Sequence, residues 1–357
     1  MNKNFLQKLT IVIFSYDRHR LLKRSAKYWS NYNVKIVILD GSSIKLDDPC
    51  LKSKNIKYIH DPRTLYERLL SSPNYIDTEF MILASDDEFY LPSALSTCVE
   101  ILSKDLSFSS CGGRAVGFYT KEKEIFGIRQ YQKLRGLCLD NDSAYDRIFK
   151  HFNAYVPAHT YSVIRANKWK IICSHVFQKK FNFSASFEMQ VEFLTMVSGK
   201  SKIISELMWM RNNEEPKVDI NKNPDIGSWW YHKIHEDEKK NFLFSMKKAC
   251  NDLSTNKNLI LNEETISNLF EVFVKKMMEL RRKNLLRKIL TLLPGKIEIK
   301  LIKFIKKFYK ITLTRGDNSL VEEINILKAE GTLVNSEEIK KIISILIDSK
   351  SNDSNIY

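Results

Sequence analysis

The sequence predicts an α/β fold: a mostly parallel sheet with helices on both faces, followed by a C-terminal α-helical region. Three observations predict it. Apolar, β-branched runs at 9–14, 34–39, 56–59 and 80–84 alternate with helical patterns at 20–32, 64–72 and 92–104. The runs are apolar at consecutive positions, which is how strands covered on both faces read. Beyond Trp229 the strand signal stops and helical patterns follow, near 236–253, 263–293, 297–309, 319–329 and 336–347. We therefore expect an α/β domain over 1–230 and a helical, basic region over 231–357.

Taken in order, Leu9–Phe14 reads as a buried strand ending in the loop Ser15-Tyr16-Asp17-Arg18. Val34–Leu39 is a second strand and ends in Asp40-Gly41-Ser42-Ser43. A short third strand, Ile56–Ile59, leads to His60-Asp61-Pro62. Thr64 is the expected cap of the next helix, with Glu67 at the reciprocal position of a capping box. Phe80–Ala84 is the fourth strand and delivers Ser85-Asp86-Asp87-Glu88, and Pro92 sits near the first turn of the helix that follows. Ser107–Thr120 reads as strand, and Gly112-Gly113 permits close backbone approach. Ser143–Lys150 is helical, Tyr155–Arg165 reads as strand around Pro157, and Phe187–Val197 is a helix with Glu188 and Glu192 one turn apart. Lys202–Arg211 is a further strand, and the polar stretch Asn212–Ser228 is a loop or lid.

Parallel α/β sheets bind ligands beyond the carboxyl ends of their strands. Four loops, at 15–18, 40–43, 60–61 and 86–88, fall there, and each carries at least one Asp. Three consecutive acids after an apolar strand are costly unless exposed and bound to something. Asp86, Asp87 and Glu88 are expected to hold Mg or Mn, hard cations that share carboxylates with substrate phosphates. The plain alternative is that they cap the helix that follows. Asp40, with Gly41 and Ser42 beside it, could accept a nucleobase proton; the alternative is an Asx turn. Asp17 and Arg18 could contact base or phosphate, or stand as solvated loop charges. Glu188, between Phe187 and Met189, is the candidate general base, with Glu192 as fallback. Arg211 could hold phosphate, or could be a surface ion pair. His159, Tyr161 and Arg165 could face an acceptor, although a lone His is more often structural.

Composition narrows the partners. The longest apolar runs fall well short of the roughly 18–20 residues of a membrane span, and Met1–Lys8 lacks a signal-peptide apolar centre, so an intracellular protein is expected. Six cysteines with no Cys-x-x-Cys pair argue against a zinc site and against a disulfide framework, and no zinc spacing, phosphate loop or Ser/His/Asp arrangement is apparent. The net charge of +15 points to an acidic partner. Most of it is local: Lys275–Lys310 holds thirteen Lys/Arg against two acids. In Ile297–Tyr309 cationic and apolar positions alternate, as in helices that lie on anionic membranes; a solvated basic face is the alternative. Nucleic acid is not expected as a partner, since no aromatic-basic module accompanies the charge.

The order of these pieces resembles a known group. Ile11–Arg18 resembles the opening strand and loop of family two glycosyltransferases, Ile38–Ser42 their nucleotide-base strand, and Leu83–Glu88 their acidic metal motif. Ala84–Phe89, Ser143–Pro157 and Phe187–Met189 are similar to a bacterial subfamily labelled only "glycosyltransferase domain". The resemblance covers about 8–213 and implies a GT-A (Rossmann-like) fold, a nucleotide-diphosphate-sugar donor, Mn or Mg, and inverting transfer onto a surface saccharide. The expected donor residues are Ser15, Tyr16, Asp17, Arg18, Asp40, Ser42, Asp61, Ser85, Asp86 and Arg211, and Gly113, Arg114 and His159 are expected at the saccharide or glycolipid acceptor. Glu188 as base is carried over from the subfamily's pattern. Two departures matter: Ala84 stands where family two commonly has Asp, and the frequent Glu-Asp base pair is not evident. Residues 275–310 are expected to place the protein at the inner face of the cytoplasmic membrane, peripherally, against a lipid-linked acceptor. Transfer of a polyol phosphate or sugar phosphate, and a non-catalytic scaffold for a membrane complex, are the alternatives.

Overall fold

A computed structural model describes residues 5–122, 124–157, 159–183, 186–214, 225–254, 261–291 and 318–351. The apolar runs become β1 (Leu9–Ser15), β2 (Lys35–Asp40), β3 (Ile56–His60) and β4 (Phe80–Ser85), separated by α1 (His19–Trp29) and α2 (Leu65–Ser71). The capping box holds: Thr64 Oγ1 accepts the Glu67 N–H while Glu67 accepts the Thr64 N–H. β5 (Phe89–Tyr90) precedes α3 (Pro92–Lys104), with Pro92 in its first turn. Then come β6 (Phe108–Lys121), β7 (Glu124–Arg129), β8 (Cys138–Leu139), α4 (Ala144–Asn153), β9 (Val163–Arg165), α5 (Ala166–Val176), α6 (Ser186–Ser198) and β10 (Lys200–Asn212). The strand expected over 155–165 is thus confined to its last three residues, because Pro157 and the loop bonds that follow it keep the preceding stretch out of the sheet. Helices α7 (Ile226–Tyr231), α8 (Glu236–Leu253), α9 (Glu263–Thr291), α10 (Leu320–Ala329) and α11 (Ser336–Ser351) complete the described chain. The expected lid is in part structure, since α7 occupies its end; residues 215–224 of it lie outside the described residues. So does the amphipathic helix expected over 297–309.

The main path of the sheet runs β3-β2-β1-β4-β9-β6-β10-β5. β3, β2, β1, β4, β6 and β10 all run one way; β9 is a short antiparallel filler between β4 and β6. Register brings the carboxyl ends level: Ser15 faces Asp40, Phe14 faces Ser85 and Asp40 faces His60. All four acid-bearing loops therefore open along one edge.

Both faces are covered. Leu9, Ile11 and Ile13 point to one side, where α1, α3, α10 and α11 pack. Val12, Val37, Met81 and Leu83 point to the other, where α2 and α4–α9 pack. Each core thus takes residues from both sides of position 230: Leu320, Ile324 and Ile342 join the first, Phe242, Ile266 and Phe270 the second. Direct bonds add to this. Ser93 donates its N–H and hydroxyl to Glu338 at 3.0 and 2.8 Å, and Leu333 exchanges backbone bonds with Ser205 and Leu207 of β10. Among the described residues no helix is long and apolar enough to cross a membrane, and all six cysteines are free thiols.

Candidate active site

The acid segment 86–88 bridges β4 to β5, and the two ends of the bridge have different partners. Asp86 lies on the β1 side with a fully buried side chain; Ser15 donates to its Oδ2 at 2.6 Å, and the Arg18 guanidinium is 2.5 Å from its Oδ1. Arg18 also reaches Asp87 Oδ2 at 3.0 Å and Ser85 Oγ at 3.2 Å, and Arg24 donates to the Asp87 carbonyl. Burial pushes the Asp86 carboxyl up to about 7, against the pull of Arg18. Neither aspartate caps a helix: α3 is preceded by Leu91 and has no acid in its first turn. That removes the plain alternative for the motif.

The loops after β1 and β2 hold each other. Asp17 takes a left-handed backbone conformation (φ 50°), donates its N–H to Ser42 Oγ, and accepts the Ser43 N–H at 2.9 Å. Asp40 is completely buried. Its Oδ1 accepts from the Ser42 N–H and hydroxyl, its Oδ2 from Tyr58 at 2.7 Å. Its carboxylate therefore braces the loop from within and does not open toward a base. Arg68, also buried, donates to the carbonyls of Ser15 and Leu39 at 2.7 Å. Its guanidinium occupies the space a Cβ on Gly41 would need, so the glycine serves Arg68. Asp61 pairs with Arg63. Tyr16 is 60% exposed at this edge and offers an open ring face.

Glu88 turns the other way, to β10. The Trp209 indole N–H donates to its Oε2 at 2.9 Å, and Arg211 Nε is 4.0 Å from its Oε1. Burial pushes Glu88 up to about 8, with the Asp87 charge adding to it. The Trp209 ring stacks with Tyr161 (4.9 Å between centroids) and Tyr131 (5.3 Å). Arg211 bonds the Tyr131 hydroxyl, and Tyr161 donates to Glu188 Oε1 at 3.0 Å. Glu188, half-buried in the first turn of α6, is thus tied to the acid segment through two side chains. Burial raises its carboxyl above the ordinary value, while the Tyr161 hydroxyl and Arg211 oppose the rise. A carboxylate so raised is a stronger proton acceptor than an exposed one.

The structure therefore brings together Ser15, Tyr16, Asp17, Arg18, Ser85, Asp86 and Asp87 at the ends of β1 and β4, and Glu88, Arg211 and Glu188 against the end of β10. Of the expected acceptor residues it brings only Tyr161 there. His159 is 1% exposed, and burial drives its imidazole down to about 3. Gly113 lies in mid-strand, where a Cβ would sit 2.4 Å from Met208 Cβ; it is glycine so that β6 and β10 can close. Arg114, on the next position, is buried among Arg129, Arg135 and Glu330. Arg165 is spent on the carbonyls of Leu102, Asp105 and Phe108. Sequence reasoning missed Trp209 and Tyr131. Strand periodicity carries a signal for the first, since Trp209 and Arg211 are two apart and share a face. Tyr131 has none: it sits in a loop, left-handed at φ 50°.

For a hard cation, Asp86 and Asp87 are the fitting pair. Asp86 Oδ1 is buried, with the Arg18 guanidinium 2.5 Å away as its counter-charge and no directed hydrogen bond, and Asp87 keeps some exposure. Glu88 is committed to Trp209 and does not share their side.

No protein-family model matches the chain, and no curated protein matches it. Among solved structures it is similar to the crystal structure of S. aureus TarS 1-349, at 10% identity and a TM-score of 0.43, over 77% of this chain and 91% of that one. The crystal structure of S. aureus TarS 1-349 in complex with UDP-GlcNAc gives 10% identity and a TM-score of 0.48, over 74% and 70%. Similarity at this level assigns neither family nor chemistry.

Proposed function

We propose that this chain is a glycosyltransferase that moves a sugar from a nucleotide-diphosphate donor to a saccharide in surface polysaccharide synthesis, with inversion. One observation carries the reading: a single acid segment links the Arg18–Asp86–Asp87 cluster at the ends of β1 and β4 to a half-buried base, Glu188, on α6. Tyr16 offers a face for the base, and Arg18, paired with Asp86 and Asp87, places a guanidinium beside the carboxylates where a diphosphate would lie. Asp86 and Asp87 would hold Mg or Mn, which offsets the charge of a departing diphosphate. Glu188 takes the proton of the attacking acceptor hydroxyl, and Tyr161 fixes the direction of its carboxylate.

The test is donor turnover. The full chain is incubated with UDP-, GDP-, CDP- and dTDP-linked sugars, with and without Mn, and nucleotide release is followed. We expect one donor class to turn over and the rate to depend on the cation; if none binds or reacts, even with extracted glycolipid, the reading fails. The proposal includes a lipid-linked acceptor approached through the basic stretch 275–310. Flotation with anionic liposomes should weaken as salt rises, and salt-independent flotation, or none, removes that part.

A further inference from the structure

A second cluster of ligating side chains lies behind Glu188, one helical turn along α6. His151 is in α4, His159 in the loop that follows, and Glu192 one turn beyond Glu188 in α6. All three are buried, and one ligand atom from each lies within 4.8 Å of the others. The carboxylate is firmly held. Glu192 Oε1 accepts the N–H groups of His159 and Thr160, both at 2.8 Å, and the Thr160 hydroxyl at 3.0 Å. Oε2 is hydrogen-bonded to His151 Nε2 at 2.7 Å.

His159 has the features of a metal-binding imidazole. Its Nδ1 is 2.9 Å from Ser201 Oγ, which in turn accepts from Ser110. A ring N–H fixed by such an outer partner leaves the other nitrogen as a lone pair, the arrangement usual for a ligating histidine. That other nitrogen, Nε2, is buried with no hydrogen-bond partner. An orphaned buried polar atom costs about 1–3 kcal/mol and calls for an explanation. Two imidazoles and a carboxylate form a nitrogen–oxygen set suited to zinc. The all-carboxylate pair Asp86 and Asp87 suits a harder ion.

We propose that His151, His159 and Glu192 bind one divalent transition-metal ion of the zinc class. The ion pins the loop after α4 to α6, and coordination through His151 Nε2 requires its Nδ1–H tautomer. The site is independent of the transferase reading and goes beyond it.

The test is metal content. The full chain is reconstituted with equimolar zinc, desalted and assayed by plasma mass spectrometry. Wild type and the Asp86→Asn/Asp87→Asn double variant should each retain about one equivalent, and His159→Gln should lose nearly all of it. A wild-type chain that retains almost none, a His159→Gln variant that keeps its zinc, or a double variant that loses it overturns the proposal. Should His159→Gln fail to fold by circular dichroism, cobalt(II) added to the wild type decides. An intense visible spectrum of low-coordinate cobalt supports the site, and the pale spectrum of six-coordinate cobalt overturns it.

Discussion

Tyr161 is the residue on which the chemistry of Glu188 turns. Its hydroxyl donates at 3.0 Å to a carboxylate that burial has already raised, and so favours the ionised form. A base must be ionised to act, so activity falls as pH drops through the Glu188 value. Removing the hydroxyl raises that value further. Tyr161→Phe should therefore move the acid limb of the kcat/KM profile upward by about one pH unit; an unmoved limb would detach Tyr161 from the base. Glu188→Gln keeps the shape and loses the proton acceptor, so donor affinity should persist while turnover falls at least about a hundredfold. Single-turnover rates beside donor titrations separate the two. At this scale the sequence made Asp86, Asp87, Glu88, Glu188 and Arg211 visible, because ionisable residues at apolar boundaries stand out. It could not show that His159 is internal or that Glu88 turns away from Asp86. Both depend on partners, Glu192 and Trp209, that lie 33 and 121 positions away.

Among the elements, the ends of β1 and β2 are joined by one buried cation. Arg68, on α2, donates to the carbonyls of Ser15 and Leu39 and fills the space beside Gly41. Arg68→Ala strands two buried acceptors and takes a positive charge from beside Asp40, which should cost about 3 kcal/mol. A urea titration reads this directly, and a loss under about 1 kcal/mol would show that water or a neighbour replaces the guanidinium. Arg68→Lys restores the charge with one fewer donor geometry and should recover only part. The helix carrying Arg68 was legible, since Thr64 and Glu67 form the box their spacing predicts. Its function as a brace was not, because nothing local announces where a long side chain ends. The same limit explains Asp40: its place at a strand end was readable, but the hydroxyl of Tyr58, on the neighbouring strand, was not.

For the whole molecule, the α/β architecture was legible because strand periodicity, helix caps and strand-end acids agreed with one another. The way the chain closes on itself was not. The last helices are not an appendage: Leu320, Ile324, Leu327, Ile339, Ile342 and Leu346 are buried in the same core as β1 and α3. Arg129 of β7 pairs with Glu323 and Glu330, and Glu338 takes both donors of Ser93. Burying a Leu or Ile side chain stabilises by about 1.5–3 kcal/mol, so six of them approach or exceed a domain's usual margin of about 5–15 kcal/mol. A chain ended at residue 317 should therefore lose its cooperative melt and aggregate, although the cleft residues are all present. Glu338→Ala, which removes only the bonds to Ser93, should cost about 1–2 kcal/mol and leave the melt cooperative. Differential scanning calorimetry with light scattering distinguishes the two. A truncated chain that stays monomeric and melts sharply within a few degrees of the full one would mean that the sheet is self-sufficient, and that α10 and α11 only cover it.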